Sequence, residues 1–71
     1  MKRKKVSSEA ISSIGYNSKG MILEIEFSSG SLYQYFSVPE LEVENLLNAE
    51  SIGRHFQENI KQGPYRYIRL N

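Results

Sequence analysis

Residues 21–39 read MILEIEFSSGSLYQYFSVP, and the fold turns on how the two halves of this stretch pair. In the first half Met21, Leu23, Ile25 and Phe27 point one way and Glu24 and Glu26 the other, the alternation of a half-buried strand. Ser29-Gly30 is the expected turn, because glycine enters positive φ freely. SLYQYFSV is then the return strand. Pairing Ser28 with Ser31 sets Phe27 opposite Leu32, Ile25 opposite Gln34 and Leu23 opposite Phe36. On the other face Glu26 meets Tyr33 and Glu24 meets Tyr35. The register matters because a slip of one residue exchanges the two faces of a strand.

Working outward, ISSIGY at 11–16 reads as a shorter strand joined through an NSKG turn. Tyr16 then falls opposite Met21 and Ile14 opposite Leu23. Beyond Val38-Pro39 the period changes. Ser37 followed by Glu40 has the spacing of a capping box. Val43, Leu46 and Leu47 form a helical stripe. A second helix starts at Ser51, carries Ile52, Phe56 and Ile60 on one face, and stops at Gly63-Pro64. Gly53 near its start is a place for close packing on the sheet. YRYIRL at 65–70 alternates again and reads as a last strand at a sheet edge. The order β-β-β-α-α-β describes an α+β domain, a small antiparallel sheet with two helices packed on one face. Phe27, Phe36, Leu46 and Phe56 are expected in its core.

Seventy-one residues allow a single small domain. Such a chain buries only about 60% of its unfolded surface. There is no cysteine, which fits a reducing compartment. No apolar run approaches the ~18 residues of a membrane helix. No apolar segment follows the basic MKRKK opening, as a signal peptide would require. A cytoplasmic protein with no membrane partner is expected. Residues 1–8 read as a flexible basic tail and 9–71 as one domain. The net charge of +1 hides a partition: +4 over Lys2, Arg3, Lys4 and Lys5, −6 over residues 6–50, and +3 over residues 51–71.

The chain resembles the KTSC domain family, named for a C-terminal extension of some lysyl-tRNA synthetases that also occurs in small stand-alone proteins. The resemblance rests on IGY at 14–16, LEIEFSSGSLYQYFSVP at 23–39 with its central Tyr33-x-Tyr35, LLNA at 46–49, and SIGRHF at 51–56 with Ile60. Val43 stands where an aromatic is common in the family, and His55 where a tyrosine is common. The resemblance implies the α+β fold and, through the synthetases, an association with RNA.

The residues argue against catalysis. With no cysteine, no aspartate and one histidine, a nucleophile has no positioned base. Glu24 and Glu26 share an open strand face, which forms no cleft for paired-carboxylate chemistry. His55 stands alone, so no metal site is expected, and no glycine-rich phosphate loop calls for a cofactor. Tyr33 and Tyr35 have the spacing of a base-stacking platform. With Glu24 and Glu26 opposite them, packing is the favoured reading, since the carboxylates would repel phosphates. The nucleic-acid-binding candidates are therefore Lys2, Arg3, Lys4 and Lys5 with Arg54, Lys61, Arg66 and Arg69. RNA is the expected partner if these cations converge on one face. A protein partner on the tyrosine-glutamate face or the terminal strand is the alternative.

Overall fold

The alternating stretches form strands where expected, and one more strand joins them. The computed structural model describes residues 1–71. Strands β1 (Arg3–Lys5), β2 (Ile11–Asn17), β3 (Ile22–Phe27) and β4 (Leu32–Tyr35) make an antiparallel meander. Helices α1 (Glu40–Leu47) and α2 (Ile52–Phe56) follow, and α2 continues into a π-helical segment at Gln57–Lys61. Strand β5 (Tyr67–Arg69) then pairs with β4 and completes a five-stranded sheet in the order β1-β2-β3-β4-β5.

The extra strand corrects the expectation of a free tail. Arg3 pairs with Gly15, Lys4 with Ile14 and Lys5 with Ser13. Val6, one residue further on, packs against the core. The pairing is close at Gly15, where an added Cβ would lie 2.7 Å from the Lys2 carbonyl oxygen.

The central hairpin is shifted by one residue from the expected register. Glu26 pairs with Leu32, Ile25 with Tyr33, Glu24 with Gln34 and Leu23 with Tyr35. The cause is the turn. The Phe27 amide bonds to the Ser31 carbonyl, and the Gly30 amide to the Phe27 carbonyl, so three residues rather than two connect the strands. Gly30 has φ of +96°, the left-handed residue that a three-residue hairpin loop requires. Tyr33 and Tyr35 therefore share a face with Leu23 and Ile25, and Gln34 shares the opposite face with Glu24. The β2–β3 register also departs from expectation, by two residues: Tyr16 pairs with Leu23 and Ile14 with Ile25. A two-residue shift leaves the faces unchanged.

The helices cover the face carrying Ile14, Leu23, Ile25 and Tyr35. These four pack with Ile11, Val38, Val43, Leu46, Phe56 and Ile60 in one core. Phe56 and Leu46 are in the core as expected, and Phe27 packs against it half-buried. Phe36 is not, because the register shift turns it to the uncovered face. Leu47 is exposed, so the stripe of α1 narrows to Val43 and Leu46. The capping box at Ser37 does not form. Ser37 adopts a left-handed φ of 60° that turns the chain from β4 toward α1, whose N-cap is Pro39 without a side-chain bond. Ser51 does cap α2, its hydroxyl accepting from the Arg54 amide. An added Cβ at Gly53 would meet Ser8 Oγ at 3.5 Å and Ala10 Cβ at 3.7 Å, ordinary contact, so packing there does not require glycine.

Candidate nucleic-acid interface

The three-residue turn brings the tyrosines together on the helix side. Tyr35 lies opposite Tyr67 and Tyr33 opposite Arg69 in the β4–β5 ladder. Their rings form a cluster: Tyr33–Tyr35 centroids are 6.3 Å apart and nearly parallel, Tyr33–Tyr67 are 5.8 Å apart and Tyr35–Tyr67 are 5.5 Å apart. Phe56 meets Tyr35 edge-on at 5.4 Å, and Phe27 meets Tyr33 edge-on at 5.6 Å. Such edge contacts suit the ring quadrupole and add to burial.

Burial falls off across the cluster. Tyr35 is 4% exposed and belongs to the core, Tyr33 is half-buried, and Tyr67 is 60% exposed. The helices leave this corner of the sheet uncovered. A groove of about 600 Å³ opens between the β3–β4 turn, β5 and the end of α2. Tyr33, Tyr35 and Tyr67 form its sheet wall, Gln57 and Lys61 its helical wall, and Ser28, Ser29 and Ser31 its rim. Tyr16 bonds to the Val38 carbonyl at 2.6 Å and is the one tyrosine whose hydroxyl is hydrogen-bonded within the chain. No side-chain nitrogen or oxygen is buried without a partner, so solvent reaches the hydroxyls of Tyr33, Tyr35 and Tyr67.

The sequence singled out Tyr33 and Tyr35 but set them against glutamates. The structure separates the two groups onto opposite faces, and the electrostatic objection to base stacking falls with the register that produced it. Tyr67 had no signal beyond the alternation of β5. Its place beside Tyr35 comes from a pairing between residues on either side of both helices.

Burial pushes the Tyr35 hydroxyl up to about 12, with Tyr33 and Tyr67 adding to the shift when ionised. A raised folded-state value means the unfolded chain releases this proton first. The stabilisation is whole below about pH 10, the ordinary tyrosine value, and is lost as pH rises through about 12. Ultraviolet titration of the phenolates should show one tyrosine ionising well after an exposed one, together with unfolding. In Tyr35→Phe that late step should vanish. Its persistence there would assign it elsewhere.

The cations do not gather on one face. β1 and β5 are opposite edges of the sheet, four strand spacings or on the order of 19 Å apart. Lys2, Arg3, Lys4 and Lys5 are therefore separated from Arg66 and Arg69. Arg54 pairs with Glu58 at 3.2 Å, both exposed. Lys61, Arg66 and Arg69 are exposed and form no ion pair with a carboxylate. Lys61 alone of the basic residues lines the groove.

Arg3 has a different task from the one its sequence context suggests. Its guanidinium pairs with Glu24 across β2, and its Nε donates to Ser13 Oγ at 3.0 Å. Ser13 donates in turn to Glu26 at 2.9 Å, and Gln34 Nε2 donates to Glu24 at 2.9 Å. Glu24 is only 5% exposed. Burial by itself would raise its carboxyl, but the bonds from Gln34 and Arg3 and the Arg3 charge outweigh that and hold it below its ordinary value. This chain of bonds ties four strands together on the uncovered face.

No group of three or more acidic, histidine or cysteine side chains comes together to hold a metal ion. His55 instead reaches Glu42 at 3.0 Å and joins α2 to α1. No helix is long and apolar enough to cross a membrane.

Comparison with known proteins agrees with this architecture. An uncharacterized protein of Stutzerimonas stutzeri is 48% identical over 71 residues, covering all of both chains. A lysine–tRNA ligase of Nostoc punctiforme is 42% identical over 67 residues, which are 94% of this chain but 12% of that enzyme. The crystal structure of a KTSC domain protein from Yersinia pestis superposes with a TM-score of 0.92 at 38% identity, covering 99% of this chain and 97% of that one. The family model of the KTSC domain matches residues 7–67, and with the shared five-stranded fold this places the chain in the KTSC domain family.

Proposed function

We propose that this chain is a non-catalytic, RNA-associated binding domain working in the cytoplasm. The eight basic residues do not converge on one face, so the reading is carried by a smaller set, Lys61, Arg66 and Arg69, which lie on β5 and its approach from the π-helix with no carboxylate paired to them. A set of unpaired cations at one edge is suited to phosphates. The likeness to a segment of lysine–tRNA ligases supports RNA as the anion. Lys2, Lys4 and Lys5 add contacts only to an RNA long enough to reach the far edge. Arg3 is excluded, because its charge is committed to Glu24.

A second reading is favoured by a separate observation. Tyr67, Ile68 and Leu70 are all exposed at the free β5 edge, at 60%, 48% and 43%. A protein partner could pair with this edge, as peptides add to other sheet edges.

A salt titration of RNA binding distinguishes the two. Contacts from three cations should give a log–log slope of about −2 for single strands, from ~0.7 per contact. Arg66→Glu should weaken binding and flatten the slope. An RNA affinity insensitive to both perturbations would defeat the phosphate reading, and absence of RNA binding at low salt would shift the case to the protein partner.

A further inference from the structure

We infer that the tyrosine groove is a slot for one unpaired nucleobase with its phosphate, so that the domain takes single-stranded rather than duplex RNA. This inference rests on the RNA reading above and assigns a second set of residues to it.

Four observations converge. The first is shape: at about 600 Å³ the groove falls within the ~300–1,000 Å³ of small-ligand sites. The second is its sheet wall. Tyr67 and Tyr33 lie 5.8 Å apart on adjacent strands, and Tyr67 keeps more than half its surface open. Aromatic rings displayed in this way receive bases of any identity, because every base has a π-face.

The third is charge. The chain has eight acidic residues, all glutamates, and none lines the groove, whereas Lys61 does. The groove thus combines stacking faces, solvated hydroxyls, the Gln57 amide and one cation. A purely apolar ligand would leave most of these groups without partners. A base carrying a phosphate would match them, the base edge to Gln57 and the hydroxyls and the phosphate to Lys61.

The fourth is the π-helical segment. It begins at Gln57 and ends at Lys61, the two helical residues that supply polar groups to the groove. Residues four apart share a helix face, so Gln57 and Lys61 both reach the groove while Phe56 and Ile60 both stay in the core. Single π turns of this kind occur often at functional sites. A paired base cannot enter such a slot, because its face is covered by the neighbouring pairs.

The test compares a single-stranded oligoadenylate with a blunt RNA duplex of equal length. In Tyr67→Ala the ratio of single-strand to duplex affinity should fall about tenfold. In Tyr67→Phe, which keeps the ring, that ratio should hold. In the wild type, titration with adenosine 5′-monophosphate should shift the ring resonances of Tyr33 and Tyr67, and inorganic phosphate alone should not. If the alanine variant loses affinity equally for both RNAs, or the nucleotide leaves both rings unmoved, the slot is wrong and the phosphate reading survives. If the wild type binds neither RNA at low salt, both readings fall together.

Discussion

Phe56→Ala should yield little soluble, folded protein. Phe56 is 3% exposed and meets Phe27 and Tyr35 edge-on, each at 5.4 Å. It is the ring by which α2 holds the tyrosine side of the sheet. Truncating a buried phenylalanine removes its transfer energy and leaves a cavity, together about 3–5 kcal/mol. A domain of this size has on the order of 4–10 kcal/mol in total. The loss would consume much or all of that. Phe56→Leu refills most of the volume and should fold with a lowered melting midpoint. Circular dichroism and thermal melting of the two variants check this. A native-like melt for the alanine variant would remove α2 from the core.

Arg3→Ala should be the next most damaging change, although Arg3 sits in a segment that reads as a basic tail. It would leave Glu24, 5% exposed, with a charge answered by one hydrogen bond from Gln34 and the weaker pull of the N-terminal ammonium. Breaking a buried ion pair from one side costs ~3–5 kcal/mol. The Arg3 side chain is 28% exposed, so water can take its place in part and ~2–3 kcal/mol is expected. Deleting Lys2 to Lys5 should cost at least as much, since β1 goes with it. The sequence alone implied that this deletion would spare the fold. Adding Glu24→Gln to Arg3→Ala should recover much of the loss, because the buried charge is then gone. Acid provides an independent check. Glu24 has a depressed folded-state value, so its stabilisation is present above its ordinary value near pH 4.5 and is lost as pH falls through the folded one. The wild type should lose stability below that pH, and Glu24→Gln should lose less. Equal acid sensitivity in both would move the effect to other carboxylates.

Local pattern was informative where the constraint was itself local. Alternation in β3 and β5 follows from a backbone period of two and was legible in the residues themselves, whereas in β2 a register shift between Ile11 and Ser13 breaks the period and lets Ile11 and Ile14 both join the core. So was the Ser51 cap, which acts within one helical turn. Ser37, with Glu40 three residues on, had the fuller capping signature without the result. Its left-handed φ lets Val38 enter the core fully buried, with its amide bonded to the Met21 carbonyl, and that constraint comes from β3. The family resemblance was legible because its motifs lie at fixed spacings along most of the chain.

The sequence by itself therefore determined β2 to β5 and the two helices as segments, and which residues alternate in β3 and β5, but not β1 or the π-helical turn. Only the tertiary structure decided which side of β4 is buried. SSGS can close a two-residue or a three-residue turn, and the difference of one residue reverses the whole strand. With three, Tyr33 and Tyr35 pack near Phe27 and Phe56, and Gln34 reaches the buried Glu24. With two, Gln34 would face the apolar core, a polar amide without a partner. Only tertiary structure also decided that Arg3 completes the sheet rather than trailing from it. Its partner is 21 residues away, and the demand it meets, a buried carboxylate, exists only once β3 lies between β2 and β4.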